Sequence, residues 1–260
     1  MTDIVRLRVE ENCKRLYLGL VQSRLDALLD QASREHMDYL QLLDLVLAAE
    51  VASKADKRVK MGIQIAHFPV PKTLEEFDWS AQPSVDPAQV RELATGRFVG
   101  HGHNVLLFGP PGVGKTHLAI GIGRAVVQAG YSVLFVTATE LLAALDKARA
   151  DNRLSDRLAQ YAKPKLLIID ELGYLTYDKV AANLLFQLVN RRHGKASTLI
   201  TTNQPVTHWG TMFGDEMVAA AMLDRLLEHS YALVIQGESY RMREKRRAGL
   251  LRPRDAAAAK

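Results

Sequence analysis

The run Gly109-Pro110-Pro111-Gly112-Val113-Gly114-Lys115-Thr116 fits the phosphate-binding pattern G-x-x-x-x-G-K-[ST]. Glycines let the backbone curl so that its N–H groups face phosphate oxygens. Lys115 places a positive charge on the outer phosphates, and Thr116 offers a hydroxyl to a magnesium ion. The loop follows the apolar run VLLF and opens a helical stretch at His117, which completes the expected cofactor-binding set. ATP with Mg2+ is the cofactor pair this chemistry calls for.

A second run, Leu166-Leu167-Ile168-Ile169-Asp170-Glu171, reads as an apolar strand ending in two acids. Asp170 is placed to hold the magnesium, and Glu171 to orient and polarise an attacking water. An acid poised for water favours hydrolysis over transfer to an organic acceptor. A third run, Leu199-Ile200-Thr201-Thr202-Asn203, ends in a polar residue on the same expected rim. Asn203 there suits the lytic water or the γ-phosphate, although Asn also serves as a turn residue before Pro205.

These rims need a sheet to carry them. Short apolar runs at Val105–Phe108, Val133–Val136, Leu166–Ile169, Thr198–Thr201 and Ala232–Ile235 alternate with helical patterns. Apolar strands without alternation are buried on both faces, so an α/β fold with a parallel five-stranded sheet flanked by helices is expected. The first 60 residues read as helices, with Leu16, Leu20, Leu25, Leu28 and Leu29, then Leu40, Leu43, Leu47 and Val51, at helical spacing. Pro69, Pro71, Pro83 and Pro87 suggest a linker between about 66 and 88. The expected organisation is a helical N-terminal domain (1–65), a linker and entry segment (66–100), the nucleotide-binding domain (101–240) and a basic tail (241–260).

Composition narrows the class. The chain has 260 residues, one cysteine (Cys13) and 24% charged residues, which excludes a disulfide framework and wholesale disorder. No run of about 18 apolar residues exists, so no membrane span is expected, and a cytoplasmic setting is the simplest one. The net charge of +5 is uneven. Residues 1–100 hold 13 basic and 15 acidic side chains, whereas residues 236–260 hold 8 basic and 3 acidic. A polyanionic partner is permitted by this, and position decides where it would sit.

Phosphate loop, Asp-Glu strand and Asn-ended strand, in this order, resemble an AAA+ ATPase. GPPGVGKTHLA, IIDELGYL, LFQLVNRR, TTNQPVTHWGTMFGD, MLDRLLEHS and GESYRMRE resemble the IstB-like ATP-binding proteins encoded beside transposases in insertion sequences. Those are similar to the DnaC-type helicase loaders. The resemblance runs from about Leu16 to Glu244; where the family has an arginine-tyrosine pair, this chain reads Arg191-Arg192-His193.

The resemblance implies that Arg225 is an arginine finger acting on ATP held by a neighbouring subunit of a homo-oligomer. Read from the residues alone, Arg225 pairs with Asp224 or Glu228 on an amphipathic helix. It also implies that Arg241 is a cis-acting sensor of the γ-phosphate. Between the second strand and Asp170 it implies an extra helix facing nucleic acid. Lys147, Arg149, Arg153, Arg157, Lys163 and Lys165 lie in that stretch, and the three arginines, at four-residue spacing, read as one basic stripe contacting duplex phosphates without reading sequence. Asp–Arg pairing on a wet helix face is the competing reading. The implied function is an ATP-dependent regulator of transposition that oligomerises on duplex DNA and recruits the element's transposase. The alternative is a helicase loader holding single strands. A small-molecule kinase is disfavoured, because nothing suggests a lid or acceptor pocket.

Overall fold

The computed structural model describes residues 2–174, 176–240, 242 and 243. They form two compact units, divided between Met61 and Gly62.

The first unit is helical: α1 (Thr2–Arg15), α2 (Gly19–Arg34) and most of α3 (Tyr39–Ile65). Arg6 of α1 bonds Asp26 of α2 at 2.8 Å. Glu50 of α3 is buried and accepts the N–H groups of Leu20 and Val21 at 2.9 and 3.1 Å. Its carboxylate thus meets the positive end of α2, where first-turn N–H groups lack helical partners. The expected periodic stripe Leu40, Leu43, Leu47 and Val51 does lie on one helix, and all four side chains are exposed.

The second unit starts with a strap rather than a linker. Ala66 O accepts the Phe135 N–H at 2.8 Å, and the Phe68 and Phe135 rings meet edge-on. The strap leads into α4 (Pro87–Ala94) and α5 (Arg97–Gly100). Pro87 starts a helix instead of breaking one: its missing N–H is not needed in the first turn, and Asp86 caps Ala88 N at 2.8 Å. This connecting segment is packed along its length, because Leu74 and Phe77 are apolar side chains with somewhere to go. Both pack on α6, described next.

From there the order is β1 (Asn104–Phe108), α6 (Lys115–Gln128), β2 (Val133–Thr137), α7 (Ala138–Ala150), α8 (Leu154–Ala162) and β3 (Leu166–Leu172). α9 (Lys179–Arg192), β4 (Ser197–Thr202), α10 (Trp209–Phe213), α11 (Glu216–Leu227) and β5 (Ser230–Val234) follow. The strands lie in the order β2-β3-β4-β1-β5, and every pairing is parallel. Leu167, Ile169 and Ile200 point into one layer with side chains of α7 to α11, including Trp209 and Phe213. Ile168 points the other way, onto α6, where a side chain on Gly123 would come within 2.6 Å of it. A side chain on Gly121 would likewise meet Leu74 of the strap at 2.6 Å. These helix-interior glycines, each unfavourable by about 1 kcal/mol relative to Ala, let sheet and strap close on α6 from two sides.

One buried charge organises the starts of β3 and β4. Arg192 is 1% exposed and donates to the carbonyls of Tyr161 (2.9 Å), Ala162 (3.2 Å) and Pro164 (3.0 Å). It also donates to Ser197 O and to Thr198 Oγ1. Burial lowers its pKa to about 10, which leaves the guanidinium charged at neutral pH. Among the described residues no helix is long and apolar enough to cross a membrane.

Candidate active site

The phosphate loop joins β1 to α6, at the rim where the parallel strands end. Gly109 N–H donates to Thr202 O at 3.2 Å, which fastens the start of the loop beside the end of β4. Gly109, Gly112 and Gly114 all have positive φ, at 156°, 81° and 102°. Their missing side chains also make room on the outside of the loop. A Cβ would fall 2.3 Å from Ile235 O at Gly109, 2.2 Å from Ser239 Oγ at Gly112 and 2.7 Å from Phe77 at Gly114. The expected reason for glycine was access of phosphates from within. The structure adds that the strap and the 235–240 segment press on the loop from without, and Tyr240 N–H bonds Gly112 O at 2.9 Å.

Lys115 Nζ lies at the loop, donating to Gly109 O at 2.7 Å and Pro110 O at 2.9 Å. Burial lowers its pKa, against the raising influence of Asp170 and Glu171. The N–H groups of Lys115, Thr116 and His117 head α6, where first-turn donors have no helical acceptor and suit an anion. The His117 side chain is engaged elsewhere: Nε2 meets Thr73 O at 2.7 Å and the ring packs edge-on to Phe77. Its contribution to a phosphate is therefore limited to its backbone.

Thr116 Oγ1 lies 3.0 and 2.9 Å from the two carboxylate oxygens of Asp170. Asp170 is 3% exposed, and burial raises its pKa while hydrogen bonds from Thr201 and Thr116 pull it down. A buried carboxylate beside a hydroxyl is a hard-oxygen donor set that fits Mg2+, which completes its shell with water and phosphate oxygens.

Glu171 sits next to it yet faces solvent. Ile169 pairs with Ile200 and Leu172 with Thr202, so two residues of β3 oppose the single Thr201 of β4. That is a β-bulge, and Glu171 takes up its strain with φ of 62°, a conformation uncommon for a side chain of this type. The bulge turns Asp170 inward and Glu171 outward along one strand end. Thr201 holds both: its Oγ1 accepts the Glu171 N–H at 3.0 Å and donates to Asp170 Oδ1 at 2.5 Å.

Sequence reasoning read Thr201 only as strand. No local signal singles it out, because four of the six residues of β4 carry hydroxyls and all six are buried. Thr201→Val keeps the shape and removes both bonds. Each lost bond is worth about 1–3 kcal/mol; with about one bond's worth felt in the transition state, turnover should fall roughly ten- to hundredfold with nucleotide binding little changed. Steady-state hydrolysis beside equilibrium nucleotide titration checks this, and unaltered turnover would show that the bulge holds itself.

Asn203 follows β4, beside the start of the loop, and its Oδ1 is buried without a hydrogen-bond partner among the described residues. An unsatisfied acceptor suits the proton of a water better than a phosphate oxygen. Arg241 lies outside the described residues.

Arg225 lies at the other rim. Asn104, the first residue of β1, donates to Leu226 O at 3.1 Å, which ties the end of α11 to the start of the strand. The phosphate loop begins where β1 ends, about 13 Å away at 3.3 Å per residue. Arg225 pairs with neither Asp224 nor Glu228. Its Nε donates to Asn190 Oδ1 and its Nη1 to Ala221 O, both at 2.9 Å, and the guanidinium lies 5.1 Å from the Phe186 ring centre. Glu228 instead meets His193 at 3.1 Å.

The expected basic stripe is not continuous. α7 ends at Ala150, Asn152 turns the chain with φ of 55°, and Arg153 is the non-helical residue that precedes α8. Arg149 is paired with Asp146 at 2.9 Å and Arg153 with Asp151 at 3.2 Å. What the hairpin makes is a cleft of about 390 Å³ in which Lys147, Arg153 and Arg157 converge with Asp151 and Asp156. Arg149 does not line it.

A parallel sheet in this order, a phosphate loop at its carboxyl rim and an Asp-Glu bulge beside it define a P-loop ATPase of the AAA+ type. Among solved structures the fold is similar to DnaI, with TM-score 0.54 and 22% identity over 64% of this chain and 91% of that one. It is also similar to AMPPCP-bound DnaA from Aquifex aeolicus, with TM-score 0.53 and 18% identity over 72% and 58%. The chain belongs to the IstB-like ATP-binding protein family, which it matches over residues 11–248. It is 45% identical to the insertion sequence IS21 ATP-binding protein of Pseudomonas aeruginosa, across 91% of this chain and 89% of the relative. It is 42% identical to the insertion sequence IS5376 ATP-binding protein of Geobacillus stearothermophilus, across 92% and 95%. The chain is thus an insertion-sequence-associated ATPase.

Proposed function

We propose that this ATPase regulates transposition by assembling on duplex DNA with ATP and Mg2+ bound and by releasing or remodelling that assembly on hydrolysis. Its partner is the transposase encoded by the same element. Thr116 and Asp170 hold the magnesium, which shields phosphate charge when bound. Lys115 and the α6 N–H groups grip the phosphates, Asn203 accepts from the lytic water, and Glu171 draws its proton. Arg225 of a neighbouring copy completes the site. The observation that carries this reading is Arg225 at the strand-start rim, a strand's length from its own phosphate loop. A guanidinium so placed serves another copy's nucleotide more readily than its own. The insertion-sequence names of the relatives supply the biological setting.

The first unit, with its exposed leucine stripe on α3, is the proposed docking or oligomerisation module. The α7–α8 cleft is the proposed DNA contact. Duplex binding with a non-hydrolysable ATP analogue should then weaken steeply with salt. Replacing Lys147, Arg153 and Arg157 by Gln should reduce the slope of log affinity against log salt by about 2.7, at roughly 0.9 per phosphate contact. An unchanged slope would remove the cleft from the DNA path, and preference for single strands would favour a helicase loader instead.

A further inference from the structure

A second basic surface lies on the other flank of α8, and no part of the reading above uses it. It is a hollow of about 560 Å³ at the strand-start rim, where α8 and α9 end and β3 and β4 begin. Lys163, Lys165, Arg191 and Lys195 line it, and no acidic residue does. The three lysines are exposed and have no carboxylate within ion-pair distance among the described residues. This differs from the α7–α8 cleft, where Asp151 and Asp156 offset part of the charge.

We infer that this hollow takes the phosphate backbone of a DNA duplex, giving α8 a basic contact on each flank. Three observations carry this. The remaining lining is Ala159, Ala162 and Ala196, so a backbone meets no bulky side chain on the way in. The hollow has no aromatic or large aliphatic anchor, and protein-binding sites are enriched in such anchors and depleted in lysine, whereas DNA-binding surfaces are polar and strongly positive. Helix carboxyl ends ordinarily repel anions. Here Arg192, buried at the end of α9, donates to the carbonyls of Tyr161, Ala162 and Pro164 and adds a buried charge with no carboxylate in ion-pair distance among the described residues.

Arg191 has a different part. Its guanidinium bonds Ser155 O and Oγ at 3.3 Å, tying the last turn of α9 to the first turn of α8. It positions the helix that separates the two basic surfaces. Arg153, Arg157 and Gln160 line the cleft on one flank of that helix, and Ala159, Ala162 and Lys163 line the hollow on the other.

This inference rests on the proposal that the protein binds duplex DNA, and the test separates the two. The full chain with Lys163→Gln, Lys165→Gln and Lys195→Gln is titrated with duplex DNA and an ATP analogue between 50 and 200 mM salt. The slope of log affinity against log salt should flatten by about 2.7 relative to the unaltered chain. Combined with the cleft substitutions, the two reductions should add. DNA-independent hydrolysis and thermal midpoint should stay as they are, because none of the three lysines touches the nucleotide site. A steep slope in the unaltered chain that survives in the hollow variant overturns the hollow alone. A flat slope in the unaltered chain overturns DNA binding itself. Normal DNA binding with lost affinity for poly-glutamate would make the hollow a protein site and overturn the inference.

Discussion

Glu171→Gln should abolish turnover while leaving nucleotide binding intact. The amide keeps the size of the side chain and the N–H bond to Thr201 Oγ1, so the bulge has no reason to relax. What disappears is the ability to accept a proton from water. A positioned general base contributes about 10²–10⁴-fold to rate, and hydrolysis should fall by that factor. Binding should persist because the groups proposed to grip phosphate and magnesium, Lys115, Thr116 and Asp170, are untouched. Steady-state phosphate release measures the first quantity, and titration with a fluorescent ATP analogue measures the second. Hydrolysis at the unaltered rate would mean that another group activates the water. On the proposed function, the same variant should hold its assembly on duplex DNA with ATP alone, since the step that releases it is missing.

Most of the machinery that this prediction needs is readable in the chain, because phosphate chemistry demands particular residue types at particular spacings. Glycines at 109, 112 and 114, lysine at 115 and paired acids at 170 and 171 leave little freedom, and the strands that carry them are plain apolar runs. The bulge at Asp170-Glu171 is another matter. It depends on one residue more in β3 than in β4 between two fixed pairings, and pairing is a property of two distant segments. Thr201 takes its role from that mismatch, so no local pattern marks it.

The packing of the strap is hidden in the sequence for a related reason. Pro69, Pro71 and Pro83 signal irregular backbone correctly, but irregular is not unpacked. The clue was in another element, the Gly121-Ile122-Gly123 run inside α6, where two glycines are unfavourable unless something lies close. The basic stripe failed on local grounds. Asn152 takes a left-handed turn between two short helices, so four-residue spacing across it no longer means one face. Arg192 was visible only as part of a departure from the family's pattern, and its carbonyl partners come from the end of α8 and the start of β4.

Arg225→Ala should lower turnover about 10³–10⁵-fold, the range for an arginine supplied to a phosphoryl transfer by a neighbouring molecule. The loss should come from rate rather than nucleotide affinity, since the guanidinium stands at the rim away from its own phosphate loop. Folding should survive: Arg225 touches Asn190, Ala221 and the face of Phe186, all near the surface of α9 and α11. Mixing separates the action of a neighbour from action within one chain. Subunits with Arg225→Ala retain a working nucleotide site, and subunits with Lys115→Ala retain a working arginine. Each preparation alone should be nearly inactive. Together they form junctions in which an intact Arg225 faces an intact loop, and activity should return in proportion to those junctions. If the mixture stays as inactive as its parts, Arg225 acts within its own chain or only holds α11 to α9. Asn190→Ala distinguishes these further. It removes the 2.9 Å bond that aims the guanidinium and leaves the charge in place. A positioning role predicts a smaller fall in rate than Arg225→Ala, with the same recovery on mixing.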